Sequence, residues 1–269
     1  MNQELASLTK AEIGRYRELG YVVPGYRLPA DQVEELQSAL EELIETNRGV
    51  RQESLRCAHL VENNPDGVRG HPAFLELALD HQILDIVEQV IGPDIVFWGC
   101  QVFCKPGRTG LAVPWHQDGQ YWPIRPLATC TVWIALDHVA SDNGCMRVIP
   151  GSHRARKIFR HHENRSENLA LIQELDADQL DQDDAVDIAL EPGQMSLHDI
   201  YMVHGSAPNS SGRRRAGVAL RYMPSSSLFD RGLATDPDDP RSASFGNRPI
   251  WLARGVDRHG MNDFAIGHR

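Results

Sequence analysis

The spacing of apolar residues changes near residue 92 of the chain. Ahead of that point apolar residues recur at intervals of three and four, and Val33, Leu36, Leu40, Leu43 and Ile44 form one stripe. A side chain on a helix returns to the same face after about 3.6 residues. This spacing therefore predicts amphipathic helices in the first third of the chain.

Capping and helix-breaking residues mark the ends of these helices. Thr9 and Glu12 form a capping box, in which each side chain satisfies a backbone N–H of the other residue, and Gly20 follows as a stop. A second helix, which carries the apolar stripe, begins near Pro29. The other elements predicted ahead of residue 93 are a strand over 21–23 and helices over 72–79 and 81–91.

Beyond residue 93 the apolar segments are strand-length and separated by turn residues. They cover 95–105, 128–136, 146–149, 195–198 and 215–223. Helices first and strands afterwards, without alternation of the two, exclude a doubly wound sheet. We expect a mainly β protein with helical additions, namely a double-stranded β-helix (a cupin-like jelly roll) buttressed by the N-terminal helices.

The same patterns predict a single domain over 1–269 with three parts. These are a helical part over 1–92, a jelly-roll core over 93–224 and a C-terminal wrapping segment over 225–269. An acidic insertion is expected near 160–190, because 174–187 holds seven acids and no lysine or arginine, a composition typical of a solvated surface. The C-terminal segment either covers a site or wraps the core, and wrapping is favoured.

Charge and composition exclude several classes of protein. A formal net charge of −10 argues against nucleic acid as a partner, because phosphates require a basic surface. No apolar run approaches the ~20 residues of a membrane-spanning helix, and the first residues are too polar and acidic for a signal or transit peptide. Five cysteines without Cys-x-x-Cys pairs indicate a reducing, cytoplasmic setting. The expected partner is a small-molecule substrate, and no oligomeric state is predicted.

A histidine–aspartate pair and a distant histidine carry the strongest chemical signal. If 115–118 is extended, His116 and Asp118 point to the same face of a strand. His204 opens the run His-Gly-Ser-Ala-Pro-Asn and supplies a third ligand if folding brings it close. Two imidazoles and one carboxylate leave half of a coordination sphere open, as non-haem Fe(II) requires for a co-substrate and O2. Zinc with a bound water accepts the same ligands.

Five segments between Trp115 and Ser211 occur in a recognisable order. They read Trp-His-Gln-Asp (115–118), Val-Trp-Ile-Ala-Leu-Asp (132–137), Asn-Gly-Cys-Met-Arg-Val-Ile-Pro-Gly-Ser-His (143–153), Glu-Pro-Gly (191–193) and His-Gly-Ser-x-Pro-Asn-x-Ser (204–211). Arg215 then follows at a matching distance from His204. Together these features resemble the phytanoyl-CoA dioxygenase family of Fe(II)/2-oxoglutarate oxygenases, whereas the N-terminal half is similar only in style.

The resemblance implies a metal site and its co-substrates. His116, Asp118 and His204 would hold Fe(II) and be the catalytic residues, and 2-oxoglutarate and O2 would be the co-substrates. Arg215 would hold the distal carboxylate of 2-oxoglutarate, because a planar guanidinium matches a carboxylate in two hydrogen bonds. Arg221 shares the same face of the predicted strand and competes for this role, but the family spacing favours Arg215.

Three further residues are implied to contact the co-substrate. Ser206 lies two positions after His204, so it shares that face and adds a hydroxyl donor. Trp133 matches a wall of the co-substrate site, and Gln101 is placed near the carboxylate next to the metal. His198 is left out, because a loop is expected between it and His204.

The resemblance implies hydroxylation of a C–H bond, with release of succinate and CO2. Related halogenases replace the metal carboxylate with a small residue, whereas Asp118 is present here. The alternative is a cupin-like isomerase or hydrolase that uses a metal without 2-oxoglutarate. A non-catalytic relative ranks last, because all three ligands are present.

Basic and aromatic residues near the metal strand bear on the substrate. Lys105 and Arg125 are expected on loops at the mouth of the barrel, and Tyr121 and Trp122 follow the aspartate ligand. Either these residues bind an anionic or zwitterionic metabolite, or they are ordinary rim residues. They favour a small acid, amino acid or phosphonate over a long acyl thioester as the substrate.

Overall fold

Among the described residues, four α-helices lie ahead of the first long strand. The computed structural model describes residues 6–179, 181–234 and 245–268, so parts of the predicted N-terminus, acidic insertion and C-terminal segment lie outside the described residues. The helices are α1 (Lys10–Leu19), α2 (Ala30–Thr46), α3 (Ala73–Ala78) and α4 (His81–Ile91). The helices predicted from the apolar spacing are thereby confirmed.

The first helix begins and ends where the capping residues predict. The Thr9 hydroxyl accepts a hydrogen bond from the Glu12 backbone N–H at 3.2 Å, and the Glu12 carboxylate accepts one from the Thr9 N–H at 2.7 Å. Gly20 ends the helix with a φ of 82°, in the left-handed region that glycine adopts without steric cost. A Cβ there would lie 2.4 Å from Met202 Cε and 2.5 Å from His153 Nδ1. Both backbone conformation and packing therefore require glycine at this turn.

The strands form two main antiparallel sheets. In spatial order the larger sheet contains β1 (Tyr21–Val22), β11 (Met195–Asp199), β6 (Cys130–Ala135), β13 (Arg215–Pro224), β3 (Ile95–Lys105) and β15 (Trp251–Arg254), and β2 (Leu55–Arg56) also pairs with β3. The smaller sheet contains β10 (Val186–Ile188), β7 (Met146–Val148), β12 (Val203–Ser206) and β4 (Val113–Gln117). Two further pairs are β14 (Leu228–Phe229) with β5 (Ile124–Arg125) and β8 (His161–Glu163) with β9 (Gln173–Leu175). The predicted mainly β class is confirmed.

Alternation along β13 sends its side chains into two environments. One set packs with apolar residues of α2 and α4, and it consists of Ala216, Val218, Leu220 and Tyr222. The other set faces the space between the two sheets, and it consists of Arg215, Gly217, Ala219 and Arg221. Successive residues of a strand point to opposite faces, so the larger sheet is covered by helices on one side and by the smaller sheet on the other.

Apolar side chains from both sheets fill part of the space between them. Trp133 and Ala219 of the larger sheet join one cluster with Met146, Val148 and Ile188 of the smaller sheet. Burial of these residues holds the two sheets face to face. The remaining space between the sheets is available for a site.

Two of the predicted segments are built into the sheets more closely than expected. Within the acidic insertion, β10 joins the smaller sheet and 170–173 contribute to a cavity wall, so this segment is more than a solvated surface. In the C-terminal segment, β15 extends the larger sheet, and Phe245 and Arg248 line the same cavity. None of the described helices is both long enough and apolar enough to cross a membrane.

Replacing Gly20 with alanine should destabilise the protein by about 1–3 kcal/mol, because the new Cβ combines a left-handed backbone with two close contacts. Gly14 lies inside α1 with open space at its Cβ, so Gly14→Ala should instead stabilise the protein by about 0.5–1 kcal/mol. Urea denaturation of the wild type and both variants measures these effects. Equal stability of the two variants would contradict the close packing at Gly20.

His59 is a buried histidine whose ring nitrogens have no hydrogen-bond partner among the described residues. Burial, together with the charges of Arg248 and Arg221, lowers its pKa from 6.5 to about 3. Between these pH values the unfolded chain binds a proton that the folded chain does not. Stability should therefore fall as the pH falls from about 6.5 toward 3.

Because only the unfolded chain protonates His59 in this range, the wild type should lose about 2 kcal/mol of unfolding free energy when the pH falls from 7 to 5. His59→Phe should lack that part of the pH dependence. Urea denaturation of both proteins at the two pH values isolates the effect, because the carboxylates titrate in both. Identical pH slopes would show that His59 is not held neutral by the fold.

Candidate metal centre

Two facing histidines come from neighbouring strands of the smaller sheet. His116 lies on β4 and His204 on β12, and the two residues are direct partners in the antiparallel register. Their ring centroids lie 4.2 Å apart. Asp118 begins a 3₁₀ turn over 118–120, immediately after β4 ends. The expectation of one extended strand over 115–118 is wrong at its last residue, because the chain turns there, although the two side chains still converge.

The ligand atoms of these three residues converge on one point. They all lie within 4.8 Å of one another, and His116 Nε2 and His204 Nε2 lie 3.6 Å and 4.0 Å from Asp118 Oδ1. The Nδ1 atom of His116 lies 2.9 Å from the Pro114 carbonyl oxygen, and that of His204 lies 3.0 Å from the Met202 carbonyl oxygen. A carbonyl only accepts, so each Nδ1 carries the proton and each Nε2 keeps a lone pair for a metal. This donor set fits Fe(II) with half of its coordination sphere open.

The surroundings of these residues favour the protonation states that bind metal. Burial opposes the charge of Asp118, but the neighbouring His116 and His198 hold the pKa of that carboxyl well below its usual value. Burial and the neighbouring His116 hold the pKa of His204 well below its usual value. At neutral pH the cluster therefore offers a carboxylate and a neutral imidazole, which are the ligand forms.

His198 is a neighbour of the cluster that the sequence patterns do not predict. It is buried on β11 of the larger sheet, with Nε2 3.4 Å from Asp118 Oδ2 and its ring centroid 4.7 Å from that of His204. Its register partner Thr131 on β6 approaches the same Asp118 oxygen with its hydroxyl at 3.4 Å. The alternation of side chains along one strand cannot show this approach, because the groups come from two sheets that face each other. Alternation within β6 and β11 is the signal that would place both residues on the inner face.

A cavity of about 660 Å³ lies between the sheets and contains the cluster. Arg215 is buried in its wall, where Nη2 donates to the Gly144 carbonyl oxygen at 2.6 Å and Cζ lies 4.9 Å from the Trp133 ring centroid. Burial lowers the pKa of Arg215 to about 10, so the guanidinium stays charged at neutral pH. Ser206 lines the same cavity, and its Oγ accepts a hydrogen bond from Lys105 Nζ at 2.6 Å. The structure thus brings Arg215, Ser206 and Trp133 to one cavity.

Gly217 packs directly against the indole ring of Trp133. A Cβ on Gly217 would lie 2.2 Å from Cζ2 of Trp133. The small residue next to Arg215 therefore lets Trp133 pack against β13, beside the guanidinium. The sequence alone does not reveal this, because Trp133 comes from the neighbouring strand β6.

Gln101 lines the cavity and is oriented by two protein contacts. Its Oε1 accepts a hydrogen bond from Arg221 Nη2 at 3.2 Å, and its Nε2 donates to the Glu53 carbonyl oxygen at 3.4 Å. Both contacts leave the amide in the cavity wall. A role beside the carboxylate next to the metal stays a prediction.

The four residues predicted at the mouth of the barrel fall into two groups. Tyr121 and Trp122 line the cavity. Lys105 is 1% exposed at the end of β3, and burial lowers its pKa to about 6, so its predicted position on a loop at the mouth is wrong. Arg125 is exposed on β5, donates to the Ile124 carbonyl oxygen, and is absent from the described lining of the cavity. Its predicted position is wrong as well, because the short β5 strand directs it outward.

The geometry defines a mainly β protein with a buried cluster of two histidines and one carboxylate between two sheets. The family model for phytanoyl-CoA dioxygenase (PhyH) matches residues 16–217, which is most of the chain. The chain belongs to the phytanoyl-CoA dioxygenase family, as its motifs predict.

Individual relatives agree with this assignment. The chain is 29% identical over 151 residues to a probable alpha-ketoglutarate-dependent hypophosphite dioxygenase of Stutzerimonas stutzeri, covering 56% of this chain and 52% of that protein. It is 27% identical over 160 residues to the peroxisomal phytanoyl-CoA dioxygenase of Homo sapiens, covering 52% of this chain and 43% of that protein. The structure of the non-heme monooxygenase ThoJ superposes with a TM-score of 0.69 at 26% identity, covering 94% of this chain and 85% of that one. The chain spans about half the length of the first curated relatives it matches.

Replacing His198 with phenylalanine should weaken Fe(II) binding by about 10–100-fold, because Asp118 loses a buried partner that orients it. His59→Phe is the matched control, since it changes another buried histidine, which packs against Phe97 and Trp251. Competition with a fluorescent chelator under anaerobic conditions measures both affinities. If the two variants bind Fe(II) equally, His198 has no part in orienting the cluster.

Proposed function

We propose that this protein is an Fe(II)- and 2-oxoglutarate-dependent dioxygenase. The observation that carries the proposal is one cavity that holds both the cluster of His116, Asp118 and His204 and the buried Arg215. The cluster is a ligand set for Fe(II) with open positions. A buried guanidinium is a receptor for the distal carboxylate of a diacid. Membership of the family and the names of its relatives support the same function.

We propose that the two sheets form a double-stranded β-helix, or jelly roll, within a single domain over 1–269. In support, both sheets are antiparallel, they share an apolar cluster, and the described helices pack against the outer face of the larger one. Such a barrel is open at one end, which gives a ligand access to the space between its sheets.

Each residue of the cluster has a defined task in this proposal. His116 and His204 bind Fe(II) through Nε2, and Asp118 binds it through a carboxylate oxygen. When bound, Fe(II) supplies the open coordination positions at which 2-oxoglutarate and O2 react. His198 and Thr131 contact Asp118 Oδ2 and would keep the carboxylate oriented toward the metal.

Arg215, Ser206 and Trp133 form the proposed receptor for the distal carboxylate of 2-oxoglutarate. Lys105 donates to Ser206 Oγ, so the hydroxyl hydrogen of Ser206 is free to point into the cavity. One Nη of Arg215 is used by the Gly144 carbonyl, and its Nε has no hydrogen-bond partner among the described residues. The guanidinium therefore keeps donors for a carboxylate in a site where low polarity strengthens each hydrogen bond.

Gln101 has a second task in the proposal, next to the carboxylate that is bound close to the metal. Its position in the cavity wall, fixed by Arg221 and Glu53, supports that assignment. The amide would then offer its remaining N–H to an oxygen of the co-substrate.

The proposed reaction converts a C–H bond of the substrate to C–OH. One O2 and one 2-oxoglutarate are consumed, one oxygen atom enters the substrate, the other enters succinate, and CO2 is released. The presence of Asp118 leaves no position for a halide in place of the carboxylate ligand, so hydroxylation is the proposed outcome.

The proposed substrate is a small anionic or zwitterionic metabolite such as an amino acid, a small acid or a phosphonate. Tyr121 and Trp122 provide flat walls for it in a cavity of about 660 Å³ that also holds the co-substrate. The hypophosphite dioxygenase among the relatives has a small anion in its name, which supports this substrate class.

Alanine in place of His116, Asp118 or His204 should abolish release of succinate from 2-oxoglutarate. Arg215→Met should weaken 2-oxoglutarate binding by about 10–100-fold and leave Fe(II) binding in place, because Arg215 is not a ligand. Succinate release and O2 uptake by the Fe(II)-loaded protein measure the first effect, and titrations with 2-oxoglutarate and Fe(II) measure the second.

Arg48→Met is the control for Arg215→Met, since it removes an exposed arginine paired with Glu45. It should match the wild type in every measurement. A wild type that binds metal but neither consumes O2 nor forms succinate would contradict the proposal, and that result is expected of a metal-dependent isomerase or hydrolase. Succinate formation by the alanine variants would contradict the ligand assignment.

A further inference from the structure

Arg221 is a cation in the cavity wall without a carboxylate partner among the described residues. Its Nη2 donates to Gln101 Oε1 at 3.2 Å, and its Nε is buried without a hydrogen-bond partner. Its Cζ atom lies 5.7 Å from the Trp98 ring centroid and 5.1 Å from that of Trp122. Two aromatic rings and one neutral amide position the guanidinium. No described carboxylate lies within ion-pair distance of it, and the charge of Asp118 acts on it from farther away.

The arginines of the cavity differ in their partners. Five of the described residues that line the cavity are arginines. Three of them lie within 4.0 Å of a carboxylate, namely Arg248 and Arg56 beside Asp66 and Arg165 beside Glu163. Arg215 and Arg221 have no such neighbour in the described part of the chain. A cation held in a wall of low polarity without a counter-ion costs free energy, and a bound anion offsets that cost.

The two arginines without carboxylate partners lie on opposite sides of the metal cluster. Arg215 and Arg221 share one face of β13, with Cα atoms roughly 20 Å apart along the strand. Ser206, two positions after a histidine of the cluster, lies toward Arg215. Thr131 is the register partner of Arg221 and contacts Asp118. The cavity therefore has a cationic group on each side of the cluster, and the proposed function uses only the one at Arg215.

We propose that Arg221 is a specificity-determining residue that binds a carboxylate or phosphonate oxyanion of the primary substrate. This inference rests on the proposed function and names the residue that selects the substrate. The N–H groups of Arg221 not used by Gln101 form a fork that matches two oxygens of an oxyanion. Trp98 and Trp122 keep that fork from rotating. The substrate then lies with its anion at Arg221 and its reacting C–H bond toward the cluster.

Calorimetric titration of the Fe(II)- and 2-oxoglutarate-loaded protein, kept free of O2, tests this inference. The probes are propionate, methylphosphonate and the neutral isostere propionamide. The wild type should bind at least one oxyanion about 10–100-fold more tightly than propionamide, and the preferred oxyanion identifies the class of substrate. Arg221→Met should lose this preference, Arg221→Lys should keep only part of it because an ammonium lacks the fixed fork of a guanidinium, and Arg48→Met should match the wild type.

The affinity of the wild type for 2-oxoglutarate is measured in the same samples, and a cooperative urea unfolding transition shows that Arg221→Met is folded. If the oxyanions bind no better than propionamide, or bind Arg221→Met as tightly as the wild type, the inference is overturned while the proposed function stands. If the wild type does not bind 2-oxoglutarate, the proposed function falls as well. Where Arg221→Met does not fold, the oxyanion preference of the wild type and its reduction in Arg221→Lys test the inference.

Discussion

A buried carboxylate that must stay charged is the constraint on which the rest of this structure depends. Asp118 is 7% exposed, and an ion in such a place costs several kcal/mol unless it is well partnered. The smaller sheet supplies His116 and His204 to one of its oxygens, and the larger sheet supplies His198 and Thr131 to the other. These four neighbours surround the carboxylate only when both sheets are in place, so the packing of the fold and the geometry of the cluster are coupled. A divalent cation among these groups would offset the remaining cost.

The free-energy cost of a buried charge also bears on the two arginines of β13. Strand alternation directs Arg215 and Arg221 to the inner face, while their apolar neighbours pack against the helices. Aromatic rings hold both guanidiniums in position, and the described residues leave both without a carboxylate within ion-pair distance. A cavity in which the candidate metal ligands lie between two cations without an ion-pair partner among the described residues would suit two anions at once. A diacid co-substrate and an anionic substrate meet that requirement.

Much of the organisation follows from short-range patterns in the sequence. The capping box at Thr9, the apolar stripe of α2 and the strand-length segments depend on neighbours within one element, and the structure has all of them. The histidine–aspartate pair and the order of the motifs likewise predict which side chains converge. Contacts between elements do not follow from such short-range patterns. The approach of His198 to Asp118, the burial of Lys105 and the packing of Trp133 on β13 depend on which strands are neighbours and which sheets face each other, and no local pattern encodes that arrangement.

Anomalous diffraction at the iron absorption edge, from crystals grown anaerobically with Fe(II) and 2-oxoglutarate, locates the metal and the co-substrate. We expect one strong peak in coordination contact with His116 Nε2, His204 Nε2 and an oxygen of Asp118, with a chelating diacid that extends from it to Arg215. A peak at any other position, or a diacid that binds away from Arg215, would contradict this expectation.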